Sequence, residues 1–220
     1  MSRRLRIDVF FDFICPWCLI GKRQLEHAVV QFRSRHPDVQ ITTVWHGVQL
    51  LPHLPAEGEP FAEFYRQRLG NAEAMTLRQK QVQEAAAAVG LAIDLNCIQT
   101  MPNTADAHRL FEWAGILGNA TLREMLLERL FAAYFYRREN LGCRDTLLAI
   151  ARSCGIDPQT VDACLKGDGT PFDGFPGAPS GVPSFRIDRR ITVVGAQPAQ
   201  ALLGAMNEAL KESAREQAPA

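Results

Sequence analysis

Two cysteines separated by two residues, Cys15-Pro16-Trp17-Cys18, are the side chains of this sequence best suited to covalent chemistry. A thiol reacts as its thiolate. A thiolate is stabilised where a helix begins, because unpaired amide N–H groups and about half a positive charge collect there. Such a helix start is what the flanking residues predict. Residues 5–13 (LRIDVFFDF) form a short run, rich in β-branched and aromatic residues and apolar on both faces, which reads as a buried strand. Residues 19–35 then carry Leu19, Ile20, Leu25, Ala28, Val29 and Phe32 at helical spacing. Cys15 stands at the helix start as the attacking nucleophile and the more exposed sulfur. Cys18 lies one turn on, on the same face, where it can resolve a mixed disulfide.

Pro16 occupies a first-turn position, where a proline is tolerated. Neither Pro16 nor Trp17 brings a charge, so they act on the pair through geometry and desolvation, and Trp17 offers an aromatic anchor to a substrate. Asp12, three residues before Cys15, has two readings: a carboxylate that takes the Cys18 proton, or an end-of-strand aspartate that caps the helix or ties down the loop.

Two other readings of the cysteine pair are weaker. A zinc site needs four ligands. Cys97, Cys143, Cys154 and Cys164 contain no second C-x-x-C, and His27, His36, His46, His53 and His108 are not paired, so no metal is expected. Inert core cysteines would have little reason to sit at a strand-to-helix junction. The other four cysteines read as packing residues, with a second redox pair of Cys154 and Cys164 as the lesser reading.

Around this motif the chain alternates in texture. A second strand covers residues 39–48. Residues 60–165 read as helical: 61–69, 76–89, 104–117, 122–136, 145–154 and a last helix from Asp157-Pro158 to about 165. Residues 166–181 (KGDGTPFDGFPGAPSG) form an irregular connection. Strands at 184–187 and 191–194 flank Asp188-Arg189-Arg190 as a hairpin, a helix covers 198–210, and the polar tail from Lys211 is expected to fray. The order β-α-β, helices, β-β-α predicts an α/β fold with helices on both faces of a small sheet, interrupted by a large all-helical insertion domain.

Lys+Arg and Asp+Glu both number 24, so nothing in the charge balance points to nucleic acid or an anionic membrane as partner. Apolar residues make up 47 %, an ordinary soluble composition, and no stretch reaches the ~18 apolar residues of a membrane span. The N-terminal apolar run contains Asp8 and Asp12 and lacks a small-residue cleavage pattern, so it reads as strand rather than signal peptide, and a cytoplasmic location is expected. Six cysteines in a reducing compartment argue against a structural disulfide scaffold.

Asp12-Phe13-Ile14-Cys15-Pro16-Trp17-Cys18 with Gly21 resembles the active-site stretch of the DsbA-like thioredoxin superfamily, in particular its FrnE-like branch. The similarity continues through Leu50-Leu51-Pro52 with Gly58, residues 103–110 (NTADAHRL), Ala133-Tyr134-Phe135, Gly181-Val182-Pro183-Ser184-Phe185 and Gly195-Ala196-Gln197-Pro198. The C-P-W-C and G-V-P-S-F blocks together are specific; either alone is modest.

The resemblance implies a thioredoxin-like domain from residues 1–48 plus 179–220, with a helical insertion over 49–178. It implies a cis Val182–Pro183 bond facing the dithiol, where an extended substrate segment would pair with the Val182 backbone; without it, a trans proline opening a strand would be the reading. It places His108 and Arg109 toward the active site, as contacts for a substrate carboxylate or glutathione; the residues alone favour ordinary polar groups beside a helix cap. Leu19, Val48 and Leu51 replace residues usual in the family, and residues 166–181 replace a helix, which bears on the shape of the substrate groove.

The resulting expectation is a thiol–disulfide oxidoreductase acting on thiol- or disulfide-containing proteins or small molecules. It would need no tightly bound cofactor, with glutathione as a candidate co-substrate and the helical block as a candidate homodimer face. The alternative is a glutathione-dependent isomerase or transferase of the 2-hydroxychromene-2-carboxylate isomerase type. Those relatives carry serine at the position of Cys15.

Overall fold

Apolar alternation, helix caps and turn residues account for most elements of the computed structural model, which describes residues 3–216. The chain divides into two compact units. One comprises Met1–Phe11, Trp17–Gly47 and Phe175–Ala220; the other comprises Asp12–Pro16 and Val48–Gly174. These units differ from the expected ranges at residues 12–16, at Val48 and at residues 175–178. The loop carrying Asp12 and Cys15 groups with the helical unit, and the C-terminal return begins at Phe175.

The first unit is built on a four-stranded sheet in the order β2-β1-β5-β6. β1 (Arg3–Phe11) pairs in parallel with β2 (Val39–Gly47) and antiparallel with β5 (Ser184–Ile187), which forms a hairpin with β6 (Ile191–Val194). Leu5, Ile7, Val9 and Phe11 point to one face and are fully or almost fully buried. The hairpin turn holds Asp188 and Arg189 at positive φ (47° and 60°), as a tight turn between twisted strands requires.

Helices α1 (Pro16–Arg35) and α8 (Ala199–Glu216) lie side by side. Ala199 N–H donates to Gln24 Oε1 (2.8 Å), Gln200 Nε2 donates to Gln31 Oε1 (3.0 Å), and His36 Nε2 meets Asn207 Oδ1 (2.9 Å). Helices on opposite faces of a sheet are too far apart for such bonds, so the expected arrangement with these helices on both faces gives way to a shared face. Phe10, on the other face of β1, packs edge-on against Phe175 (5.7 Å) and stacks on His46 (5.1 Å). The tail expected to fray from Lys211 instead continues α8 to Glu216; residues 217–220 lie outside the described residues.

The second unit contains α2 (Phe61–Leu69), α3 (Ala72–Ala87), α4 (Ala105–Ile116), α5 (Ala120–Phe135), α6 (Arg144–Ser153) and α7 (Pro158–Asp162). Helix α3 starts four residues earlier than the apolar pattern indicates, because Asn71 caps it by accepting from Ala74 N–H (2.7 Å). Asp157 caps α7 with Pro158 in the first turn, as expected, but α7 ends at Asp162. Leu110, Phe111, Leu126, Leu127, Leu130, Phe131, Leu147 and Ile150 form its core.

Phe13, read from sequence as the end of the first strand, leaves the sheet and docks in this core. Its ring lies 5.9 Å from Phe111 and 5.4 Å from Phe131. A two-residue ladder joins β3 (Glu59–Pro60) to β4 (Thr100–Met101). Beside it Gly58 has φ +79°, and a Cβ there would sit 2.5 Å from the Met101 carbonyl oxygen. Gly58→Ala is expected to lower unfolding free energy by about 1–3 kcal/mol from backbone strain alone, with the clash adding to it; urea unfolding of the full chain measures this.

Candidate active site

β1 ends at Phe11, and the chain turns at once: Cys15 N–H donates to the Asp12 carbonyl (3.2 Å) before Pro16 opens α1. Cys15 therefore occupies the cap position of α1 and Cys18 its third residue. Both are thiols. Cys15 is 7 % exposed, whereas Cys18 is completely buried, so Cys15 is the one of the two residues that keeps exposed surface. Pro16 is buried in the first turn and Trp17, the expected aromatic anchor, is half-exposed, with surface to offer a substrate.

In the first unit, the Val182–Pro183 bond is cis. Gly21, one turn beyond Cys18 on the same face of α1, allows close approach of that loop. A Cβ at residue 21 would lie 3.0 Å from Pro183 Cγ and 3.1 Å from Phe185 Cζ. The Pro183 carbonyl accepts from Gly195 N–H (2.8 Å), tying the loop to the end of β6. Pro183 is buried and Val182 half-exposed.

In the second unit, Asp12 is fully buried and both of its oxygens are engaged. His108 Nε2 lies 3.2 Å from Oδ1, and Leu50 N–H donates to Oδ2 (2.8 Å). His108 is also fully buried, with its ring 4.9 Å from Phe13 and stacked on Phe172 at 5.0 Å. Burial lifts the Tyr65 phenol above its usual range, and Cys15 adds a smaller push. Burial likewise lifts the Tyr134 phenol well above its usual range, with Tyr65 and Asp12 contributing. Its hydroxyl donates to Met101 Sδ (3.7 Å).

His108 and Arg109, which the resemblance places toward the active site, are both engaged within the second unit. A fully buried His108 cannot touch a substrate in solution. Arg109 is turned to structural partners: Asp106 Oδ1 (2.7 Å) and the carbonyls of Thr170 (2.7 Å) and Pro171 (2.8 Å). Asp106 also accepts from Lys166 N–H (3.0 Å) and Gly167 N–H (2.7 Å). Gln49 Oε1 accepts from Phe172 N–H (2.7 Å). These bonds fasten the glycine- and proline-rich connection so that Phe172 covers His108. Tyr65 and Gln49 carried no signal in the sequence, and Tyr134 appeared only within the family resemblance.

The remaining cysteines differ in reactivity. The Thr146 amide and hydroxyl, at the start of α6, hold the Cys143 thiol below its ordinary value. Asp94 raises Cys97, whose thiol donates to its carboxylate (3.1 Å), and burial raises Cys154 and Cys164. With iodoacetamide at neutral pH, Cys143 is expected to alkylate first among these four; peptide mass spectrometry at timed quenches gives the order.

A thioredoxin-type α/β fold with a helix-opening dithiol defines the class: a disulfide oxidoreductase. Residues 6–170 match the DSBA-like thioredoxin domain, and the chain belongs to that family. The probable DsbA oxidoreductase SCO1869 of Streptomyces coelicolor is 28 % identical, with a TM-score of 0.81 over 98 % of this chain and 92 % of its own. The same fold occurs in 2-hydroxychromene-2-carboxylate isomerase, at 13 % identity and TM-score 0.64 over 97 % of this chain and all of that one. It also occurs in the cytosolic disulfide reductase DsbM of Pseudomonas aeruginosa with GSH, at 16 % identity and TM-score 0.54 over 96 % and 99 % of the two chains. Among the described residues, no helix is long and apolar enough to cross a membrane.

Proposed function

We propose that the chain exchanges disulfides through Cys15 and Cys18. The Cys15 thiolate attacks a substrate disulfide; a Cys15–substrate disulfide forms and one substrate thiolate leaves. Cys18 then gives its proton to Asp12, and its thiolate attacks Cys15 Sγ. The Cys15–Cys18 disulfide forms, and the second substrate thiolate departs with a proton. Two electrons pass from the protein dithiol to the substrate, and the oxidised protein runs the sequence in reverse. The observation that carries this reading is the asymmetry of the pair: Cys15 reaches solvent at the cap of α1, while Cys18 is sealed one turn below.

Trp17 and Val182, both partly exposed, would contact the substrate, with Pro183 shaping the loop behind Val182. Asp12, buried and held at both oxygens, ties down its loop through Leu50 N–H and His108, and its remaining lone pairs leave it able to take a proton as well. Glutathione, present with DsbM, is the small thiol partner in this reading, and the cytosolic setting of DsbM supports a cytoplasmic one here. The isomerase neighbour shares the fold, but a nucleophilic thiol paired with a second thiol favours redox exchange.

Single turnover with glutathione disulfide tests the proposal. The reduced protein is expected to gain a Cys15–Cys18 disulfide and release two glutathione thiols per chain. Persistence of both thiols, together with glutathione-dependent isomerisation of 2-hydroxychromene-2-carboxylate, would place the chain with the isomerases instead.

A further inference from the structure

We infer that His108 is a positioning residue for the dithiol reaction, orienting Asp12 so that one carboxylate oxygen can receive the Cys18 proton. The inference rests on the proposed role of Asp12 as proton acceptor. A buried carboxylate is costly unless hydrogen-bonded, and one held by a single donor can rotate. Asp12 is held at both oxygens from distant parts of the chain, by Leu50 N–H at Oδ2 and, in the Nε2–H tautomer, by His108 at Oδ1. Together they fix the plane of the carboxylate directly before the turn that presents Cys15.

The imidazole is itself locked. Phe13 and Phe172 contact its ring, and Phe172 is pinned by Gln49 while its neighbours Thr170 and Pro171 are pinned by Arg109. This is the layout of a supporting residue whose own rotamer has been fixed. Among the described residues of the second unit, Cys15 and Tyr134 from α5 are the other titratable groups near Asp12, and Tyr65 from α2 acts on Tyr134. With the Nε2–H tautomer donating to Oδ1, the proton leaves Cys18 Sγ for a remaining lone pair of the carboxylate. It then passes to the departing substrate thiolate, so His108 neither gains nor loses a proton.

The test is rapid-quench single turnover of the full chain with glutathione disulfide, following the Cys15–glutathione adduct and the Cys15–Cys18 disulfide separately. His108→Phe keeps an aromatic ring between Phe13 and Phe172 but removes the donor. It is expected to slow the second step about tenfold or more while leaving the first within about twofold, and His108→Gln, which restores an N–H donor, is expected to recover most of the rate. His108→Met serves as the non-donor variant if the phenylalanine variant does not fold. Equal slowing of both steps, or failure of glutamine to recover what the non-donor loses, would reduce His108 to a packing residue and overturn the inference. Asp12→Asn separates the two levels. If it slows resolution while the non-donor His108 variants do not, only the His108 inference fails; if it leaves resolution unchanged, the role of Asp12 itself fails.

Discussion

Cys15→Ser is expected to abolish disulfide exchange, a loss of at least on the order of a thousandfold in the rate of reaction with glutathione disulfide. The new bond in the first step forms to the residue-15 side chain, and a serine hydroxyl at neutral pH is neither ionised nor able to form a disulfide. Cys18 cannot substitute, because it is completely buried one turn below. The fold is expected to survive, since serine is a favoured helix cap and the position lies at the first residue before α1. Thiol release from glutathione disulfide reads the chemistry and thermal unfolding reads the fold. Exchange retained within tenfold in a folded variant would remove Cys15 from the mechanism.

Cys18→Ser is expected to arrest the proposed reaction halfway. Cys15 still attacks, but no second thiol is available to expel the bound half, so a Cys15–glutathione adduct accumulates toward one per chain where the wild type shows a trace. The buried hydroxyl is expected to cost about 1–3 kcal/mol of stability if it finds no partner, and Cys18→Ala gives the same chemical readout without it. Intact-mass measurement after acid quench counts adducts, and digestion locates them. Adducts confined to Cys143 would trace ordinary surface modification rather than the catalytic cycle.

The strand–dithiol–helix unit and the β5–β6 hairpin are local objects, and their patterns in the sequence match the structure closely. An apolar run followed by C-x-x-C sets the positions of both sulfurs, because helical spacing alone places residue 18 one turn past residue 15. What resisted reading was non-local. Phe13 continues the apolar run of β1, yet it belongs to the helical core, and no pattern states which core an aromatic residue will join. The β3–β4 pair is two residues long and joins segments about forty residues apart, too short for any periodicity. His108 and Asp12 are 96 positions apart, and their bond follows from packing rather than spacing. The same holds for the bonds from Arg109 to the Thr170 and Pro171 carbonyls, which lie in the irregular segment that carried no helix or strand signal. The start of α3 at Ala72 likewise follows from the Asn71 cap rather than from apolar spacing.

The most direct test of the central claim is equilibration of the full chain in glutathione buffers of graded ratio, with acid quench, alkylation and peptide mass spectrometry at every cysteine. Cys15 and Cys18 are expected to pass together between dithiol and disulfide with a single midpoint, while Cys97, Cys143, Cys154 and Cys164 form no protein disulfide across the range. A Cys15–Cys18 pair that stays reduced at every ratio, or a transition belonging to other cysteines, would contradict that claim.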